Sequence, residues 1–257
     1  SIRTDAAQVA AQAELTSGGV TAAGNASVFE LSTVIPELSG LASIGGEVST
    51  SETGDLTFEV IGNAADTIFT STGTVSPTET GQTVNLNLDL GLNDLSRFAE
   101  LAGRPLSGLG NLNIDGVILT DGLRFDLDVE GFTRDIVTGI SRADPFLQGV
   151  TRLEGAFERP TSNIMRVTGL DLRSPTLRAV GDATLNLEQG SSADLRVQIN
   201  DASLVDPSLS GLIRLNVEAE PMDDNGTQTR LRFVGPDANV SFYRTVAAPP
   251  NAFQIAV

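Results

Sequence analysis

The sequence predicts an all-β fold: an elongated, mainly antiparallel sheet curled into an open groove, with one or more short helices. Three observations predict it. Most segments alternate apolar and polar residues with a period of two, turn-forming residues separate those segments, and a corner motif returns four times along the 257 residues.

Taken in order, "AAQVAAQAEL" is rich in helix-favouring alanine, but Val9, Ala11, Ala13 and Leu15 also alternate as a strand does. Ser17-Gly18-Gly19 followed by Val20 and Ala22 makes a hairpin the economical reading. Leu56, Phe58 and Val60 then alternate with Thr57 and Glu59. The clearest segment is "TVNLNLDLGLNDL" (83–95), where Val84, Leu86, Leu88, Leu90 and Leu92 put an apolar face over roughly 30 Å of extended chain.

Helical spacing follows. Leu95, Phe98, Leu101 and Ala102 share one face, Asn93 or Asp94 can cap its start, and Gly103 with Pro105 ends it. A helix of about two turns is unstable alone, so it is expected to lie on the apolar side of the sheet as a plug. Beyond it, Phe125, Leu127 and Val129 alternate with Asp126 and Asp128, Leu185 and Leu187 flank Asn186, and Leu195, Val197 and Ile199 alternate with Arg196 and Gln198. Leu231 with Phe233, Val240 with Phe242, and Phe253, Ile255 and Val257 continue the pattern. Asp115-Gly116, Asp121-Gly122 and Asn225-Gly226 read as tight hairpin turns.

The corner motif reads "PELSG" at 36–40, "PLSG" at 105–108, "PFLQG" at 145–149 and "PSLSG" at 207–211. An apolar residue follows each glycine directly (Leu41, Leu109, Val150, Leu212) and another stands at the fourth position (Ile44, Leu112, Leu153, Leu215). The motif glycines 40, 108, 149 and 211 are 68, 41 and 62 residues apart, which describes stacked units of a few strands closed by a Pro-to-Gly corner.

Composition narrows function. The formal charge of −17 repels phosphate backbones, so nucleic acid is not an expected partner. All 16 basic residues are arginine, and Cys and His are absent, which removes the usual general base, thiol nucleophile and Schiff-base amine together. No enzymatic activity, cofactor or metal is expected. The chain has no run near 18 apolar residues and starts without Met, and we expect it to be an internal piece of a longer polypeptide.

What the apolar faces cover has three answers. A closed sandwich would make them a dry core. An outer-membrane barrel needs aromatic girdles, and one Tyr with no Trp does not supply them. An open groove leaves them for an apolar ligand, and the repeat favours that answer because it implies an elongated object without one central core. The expected lining is Leu56, Phe58, Val60, Val84, Leu86, Leu88, Leu90, Leu92, Phe125, Leu127, Val129, Leu185, Leu187, Leu195, Val197, Ile199, Leu231 and Phe233.

The run "LNDLSRFAELAGRPLSGLGNLNIDG", the returning Leu-Ser-Gly corners and "LRSPTLRAVGDATLNLEQG" at 172–190 resemble the repeat region of the TamB family and, more distantly, AsmA-like proteins. That resemblance implies a U-shaped groove (a β-taco) crossing the periplasm of a Gram-negative cell envelope, in a parent protein anchored in the inner membrane. It further implies conduction of phospholipid between the membranes, support of outer-membrane protein and autotransporter assembly, and a TamA-like barrel as partner through another part of the chain. Two alternatives stand beside it. One is a structural β-repeat of a surface adhesin or autotransporter passenger. The other is a glycosidase working through Asp126 with Asp128 or Asp223 with Asp224. "MDDNG" at 222–226 lacks the ligand spacing of a calcium loop and reads as a turn.

Overall fold

The computed structural model describes residues 2–4, 6–16, 19–121, 123–221, 227–234 and 239–246, the side chains of 2, 3, 16, 231, 233 and 239–246 excepted. Sixteen strands form one sheet in sequence order, each antiparallel to the next. They are β1 (Ile2–Arg3), β2 (Ala7–Thr16), β3 (Gly19–Val28), β4 (Ala42–Thr50), β5 (Leu56–Ala64), β6 (Thr67–Pro77), β7 (Gln82–Leu92) and β8 (Ser107–Leu119). Then follow β9 (Arg124–Val137), β10 (Val150–Thr161), β11 (Ile164–Arg173), β12 (Leu177–Asn186), β13 (Ser192–Ile199), β14 (Ile213–Pro221), β15 (Thr227–Val234) and β16 (Asn239–Val246). Among the described residues β1 and β16 do not pair, so the sheet is open. At about 4.8 Å per strand it extends roughly 70 Å across the strands. The elongated, antiparallel all-β architecture is therefore the one the alternation predicts, and the alanine-rich segment is a strand.

The two long sides of this meander differ. On one side the strands are joined by short hairpins. On the other, four long connections (29–41, 93–106, 138–149 and 200–212) alternate with shorter ones such as 65–66 and 174–176, and the corner motifs lie in the four long ones, the second running on into β8 at Ser107 and Gly108. Their glycines, Gly40, Gly108, Gly149 and Gly211, all have φ between 76° and 110°, the left-handed range that a side chain disfavours.

Three of these loops share one backbone path. Val34 and Ile35 both donate to the Leu31 carbonyl (2.9 Å each) and Leu38 donates to Ile35 (3.0 Å). The same bonds link 143 and 144 to Ile140, and 147 to Asp144, and again link 205 and 206 to Ala202, and 209 to Asp206. The first and last loops are also closed alike, by Leu31 N–H on the Gly40 carbonyl (2.7 Å) and Ala202 N–H on that of Gly211 (2.8 Å).

Two expectations are corrected. Asp115-Gly116 is no turn: Gly116 lies inside β8, paired with Leu86 and Leu127. The apolar alternation Leu112, Ile114, Ile118 runs straight through it, and the glycine is there because the Asp126 carbonyl occupies the place of a Cβ. The helix is a 3₁₀ turn (Leu95–Phe98) continued by one α-helical turn, α1 (Ala99–Ala102). Asp94 caps its start and Gly103, at φ 62°, ends it. It does not plug the sheet: Phe98 packs at the loop rim against a cluster of Leu31, Leu38 and Ala65, while Leu101 is exposed. Asp121 lies in the β8–β9 turn, whereas Gly122, Asn225-Gly226 and the segment of Phe253, Ile255 and Val257 lie outside the described residues.

Candidate functional site: an uncovered apolar face

The register joins the separate alternations into one surface. Starting from β7, Leu86 stands opposite Gly73 and Gly116, Leu88 opposite Ser71 and Ile114, and Leu90 opposite Phe69 and Leu112. Gly73 faces Phe58, and Ser71 faces Val60. In the other direction Leu112, Ile114 and Gly116 meet Gly131, Val129 and Leu127, which meet Leu153, Gly155 and Phe157. The same face continues through Leu172, Ala179, Val197 and Leu215. The row through Leu90 thus crosses the sheet without changing sides, and each fourth-position residue of the corner motif (Ile44, Leu112, Leu153, Leu215) falls on it.

All the expected lining residues with described side chains except Leu187 lie on this face. Leu231 and Phe233 take register positions opposite Val217 and Leu215. Leu187 falls outside: it follows the end of β12, donates its N–H to the Asn163 carbonyl (3.0 Å) and is 57% exposed, because the strand ends at Asn186.

No second layer lies over this face among the described residues, and its lining members in β5, β7, β9 and β13 are half-buried. The buried apolar residues, Leu31, Leu38, Ala65, Ala202 and Ile213, gather instead at the loop side. The face gains its partial cover from within. A Cβ on Gly73 would come 2.8 Å from the Phe58 ring, and one on Gly131 would come 2.9 Å from a Leu112 methyl, so large side chains lie down over cross-strand glycines.

The loop rim is braced by charge. The Arg97 Nε lies 3.1 Å from the Asp66 carboxylate and its Nη2 donates to the Ser39 carbonyl (2.8 Å), tying three connections together. Glu30 accepts from the Gly40 N–H (2.9 Å) and from Ser32, and these bonds hold its carboxyl below the usual carboxylate range. Asp94 and Asp201 accept in the same way from Ser96 and Ser203, with the same downward shift. Sequence reasoning missed this acid-apolar-Ser triplet, although Glu30 and Asp201 each stand six residues before the motif proline. It also missed the hydroxyls of Thr67 and Thr151, both buried beneath the rim with no hydrogen-bond partner.

The opposite face is polar and acidic, with Asp115 opposite Asp128, Glu130 opposite Glu154 and Asp126 opposite Glu158. Asp126 and Asp128, the candidate glycosidase pair, are both exposed members of these rows. Asp128 borders an open polar depression of about 370 Å³ with Asp115, Glu130 and Glu154. Asp223 and Asp224 lie outside the described residues. No group of carboxylates placed to hold a metal occurs among the described residues, and no helix among them is long and apolar enough to cross a membrane.

In comparison with known proteins, no family model, no curated protein and no solved structure matches this chain.

Proposed function

We propose that the chain is a segment of a periplasmic hydrophobic groove that binds phospholipid by its acyl chains and conducts it between the inner and outer membranes. The observation that carries this reading is the apolar face itself, continuous by register from β2 to β15 and without a covering layer among the described residues. An apolar surface of that extent is unfavourable in water unless something apolar lies against it.

Two features favour curling toward the apolar side. Like charges in adjacent strands repel on the outer face and are relieved when that face spreads. Glycines 62, 73, 116, 131, 155 and 181 on the inner face let the strands close up there. The parent protein in this reading is anchored in the inner membrane, meets a TamA-like outer-membrane barrel through another segment, and supports outer-membrane protein and autotransporter assembly. It binds and conducts without covalent chemistry, and needs no cofactor.

Native mass spectrometry of the purified protein tests the reading. Phospholipid adducts that disappear in Leu88→Arg while the fold persists are the expected result. A ligand-free wild type that also fails to bind a fluorescent fatty acid would leave only a structural β-repeat of an adhesin or passenger domain.

A further inference from the structure

Between β2 and β14 one charged residue interrupts the apolar face among the described residues. In the cross-strand rows from β2 to β14, Arg159 of β10 is the only ionisable side chain among the described residues. It follows Phe157 and Gly155 on the inner face and stands opposite Phe125. Its row continues through Ile118, Val84, Val75 and Leu56, all apolar. The other arginines in the register of β10 to β13, such as Arg166, Arg173 and Arg196, fall on the outer face and lie within reach of carboxylates.

Arg159 has no such partner among the described residues. Its Nε is sealed from solvent without a hydrogen bond, and its Nη2 reaches only the Ser162 carbonyl at 3.4 Å. A guanidinium half-buried in an apolar row loses hydration, and that loss is offset only when an anion supplies the missing acceptors. Its planar fork suits a phosphate or carboxylate in bidentate contact.

Position matters as much as chemistry. Arg159 stands two residues before the end of β10, on the hairpin side, where a polar group stays in contact with water. From there to Thr151, beneath the loop rim, the same face of β10 runs eight residues, or about 26 Å at 3.3 Å each. That exceeds the roughly 15 Å depth of one leaflet's hydrocarbon. An amphiphile with its head at Arg159 therefore has apolar surface for its whole tail.

We infer that Arg159 is the headgroup-recognising residue of the groove, selecting lipids with an anionic phosphate head. This rests on the groove reading and names the substrate class within it. The formal charge of −17 sharpens the point: the protein attracts no anion at long range, so between β2 and β14 selection falls to Arg159, the one cation in the apolar rows among the described residues.

Calorimetric titration with decyl phosphate, decanol and inorganic phosphate tests it on the wild type, Arg159→Gln and Arg159→Lys, with melting curves as the check on folding. The expected result is that decyl phosphate binds the wild type, about tenfold more weakly the Gln variant and at an intermediate level the Lys variant. Decanol binds all three alike, and inorganic phosphate alone binds none measurably. If decyl phosphate and decanol both bind and neither substitution changes the affinity for decyl phosphate, the headgroup inference is overturned while the groove stands. If neither amphiphile binds the wild type, the groove fails and the inference with it. Binding of free phosphate as tight as decyl phosphate would make Arg159 a plain anion site and overturn its lipid role.

Discussion

The loop rim and the leucine face are both built from aliphatic side chains, yet they behave as different kinds of surface. At the rim Leu31, Leu38 and Ala65 are buried against one another and against Ile35, Ala42, Ala64 and Phe98. On the face Val84, Leu86, Leu88, Leu90 and Leu92 have the same chemistry at closer spacing, and all remain half-buried. The difference is one of layers. The rim folds a loop and a helical turn over the strand ends, whereas the face has only cross-strand neighbours. The buried cluster at the rim holds loop and strand ends together, whereas the face stays uncovered among the described residues.

Leu38→Ala should break the rim most severely. Removing a buried leucine costs about 2–4 kcal/mol, which in a chain of this size appears as a drop of several degrees in the melting midpoint. Gly73→Val comes next, at about 1–3 kcal/mol, because its Cβ would already meet both the Asn85 carbonyl and the Phe58 ring. Chemical denaturation measures both. Leu88→Arg should cost about 1 kcal/mol or less, since a half-open site lets the guanidinium reach water, and it should abolish lipid adducts all the same.

Glu154→Gln should stabilise by about 0.2–1 kcal/mol at low salt, relieving Glu154 of Glu130 and Asp171 across the strands, and the gain should vanish at high salt. The slightest effect is on the rim's pH dependence. Glu30 has a folded-state pKa below its ordinary 4.5, so its bonds stabilise fully above that pH and are lost as pH falls through the lowered value. The protection factors of the Gly40 and Ser32 amides, with the intrinsic pH dependence of exchange divided out, should therefore fall as pH drops through that lowered value in the wild type and stay level in Glu30→Gln.

How much of this was legible in the sequence follows from which residues make each part. Segments such as 84–92 announce themselves, because every inward position is aliphatic and every outward one is polar or glycine. β6 does not: its inward positions are Thr67, Phe69, Ser71, Gly73 and Val75, where small residues make room for rings on the neighbouring strand. Gly116 is different: it makes room for the Asp126 carbonyl, and its Asp-Gly pair signals a turn only where the alternation stops. The corner glycines were legible because proline and glycine act locally. The rim cluster was not, because Leu31, Ala65 and Phe98 belong to three connections that meet only after the sheet has formed. The uncovered state of the apolar face was legible only through the corner-motif repeat, since period-two alternation by itself is the same whether a second sheet lies above it or not.

The chain contains no cysteine, so one introduced thiol can report on one position. Leu88→Cys and Leu38→Cys, each carrying an environment-sensitive maleimide dye, measure directly whether the face is open and the rim closed. In the folded protein position 88 should label rapidly and its emission shift to the blue when phosphatidylglycerol vesicles are added, while position 38 stays unreactive until denaturation. A position 88 as protected as position 38, or a dye there that ignores lipid, would contradict the open, lipid-binding face.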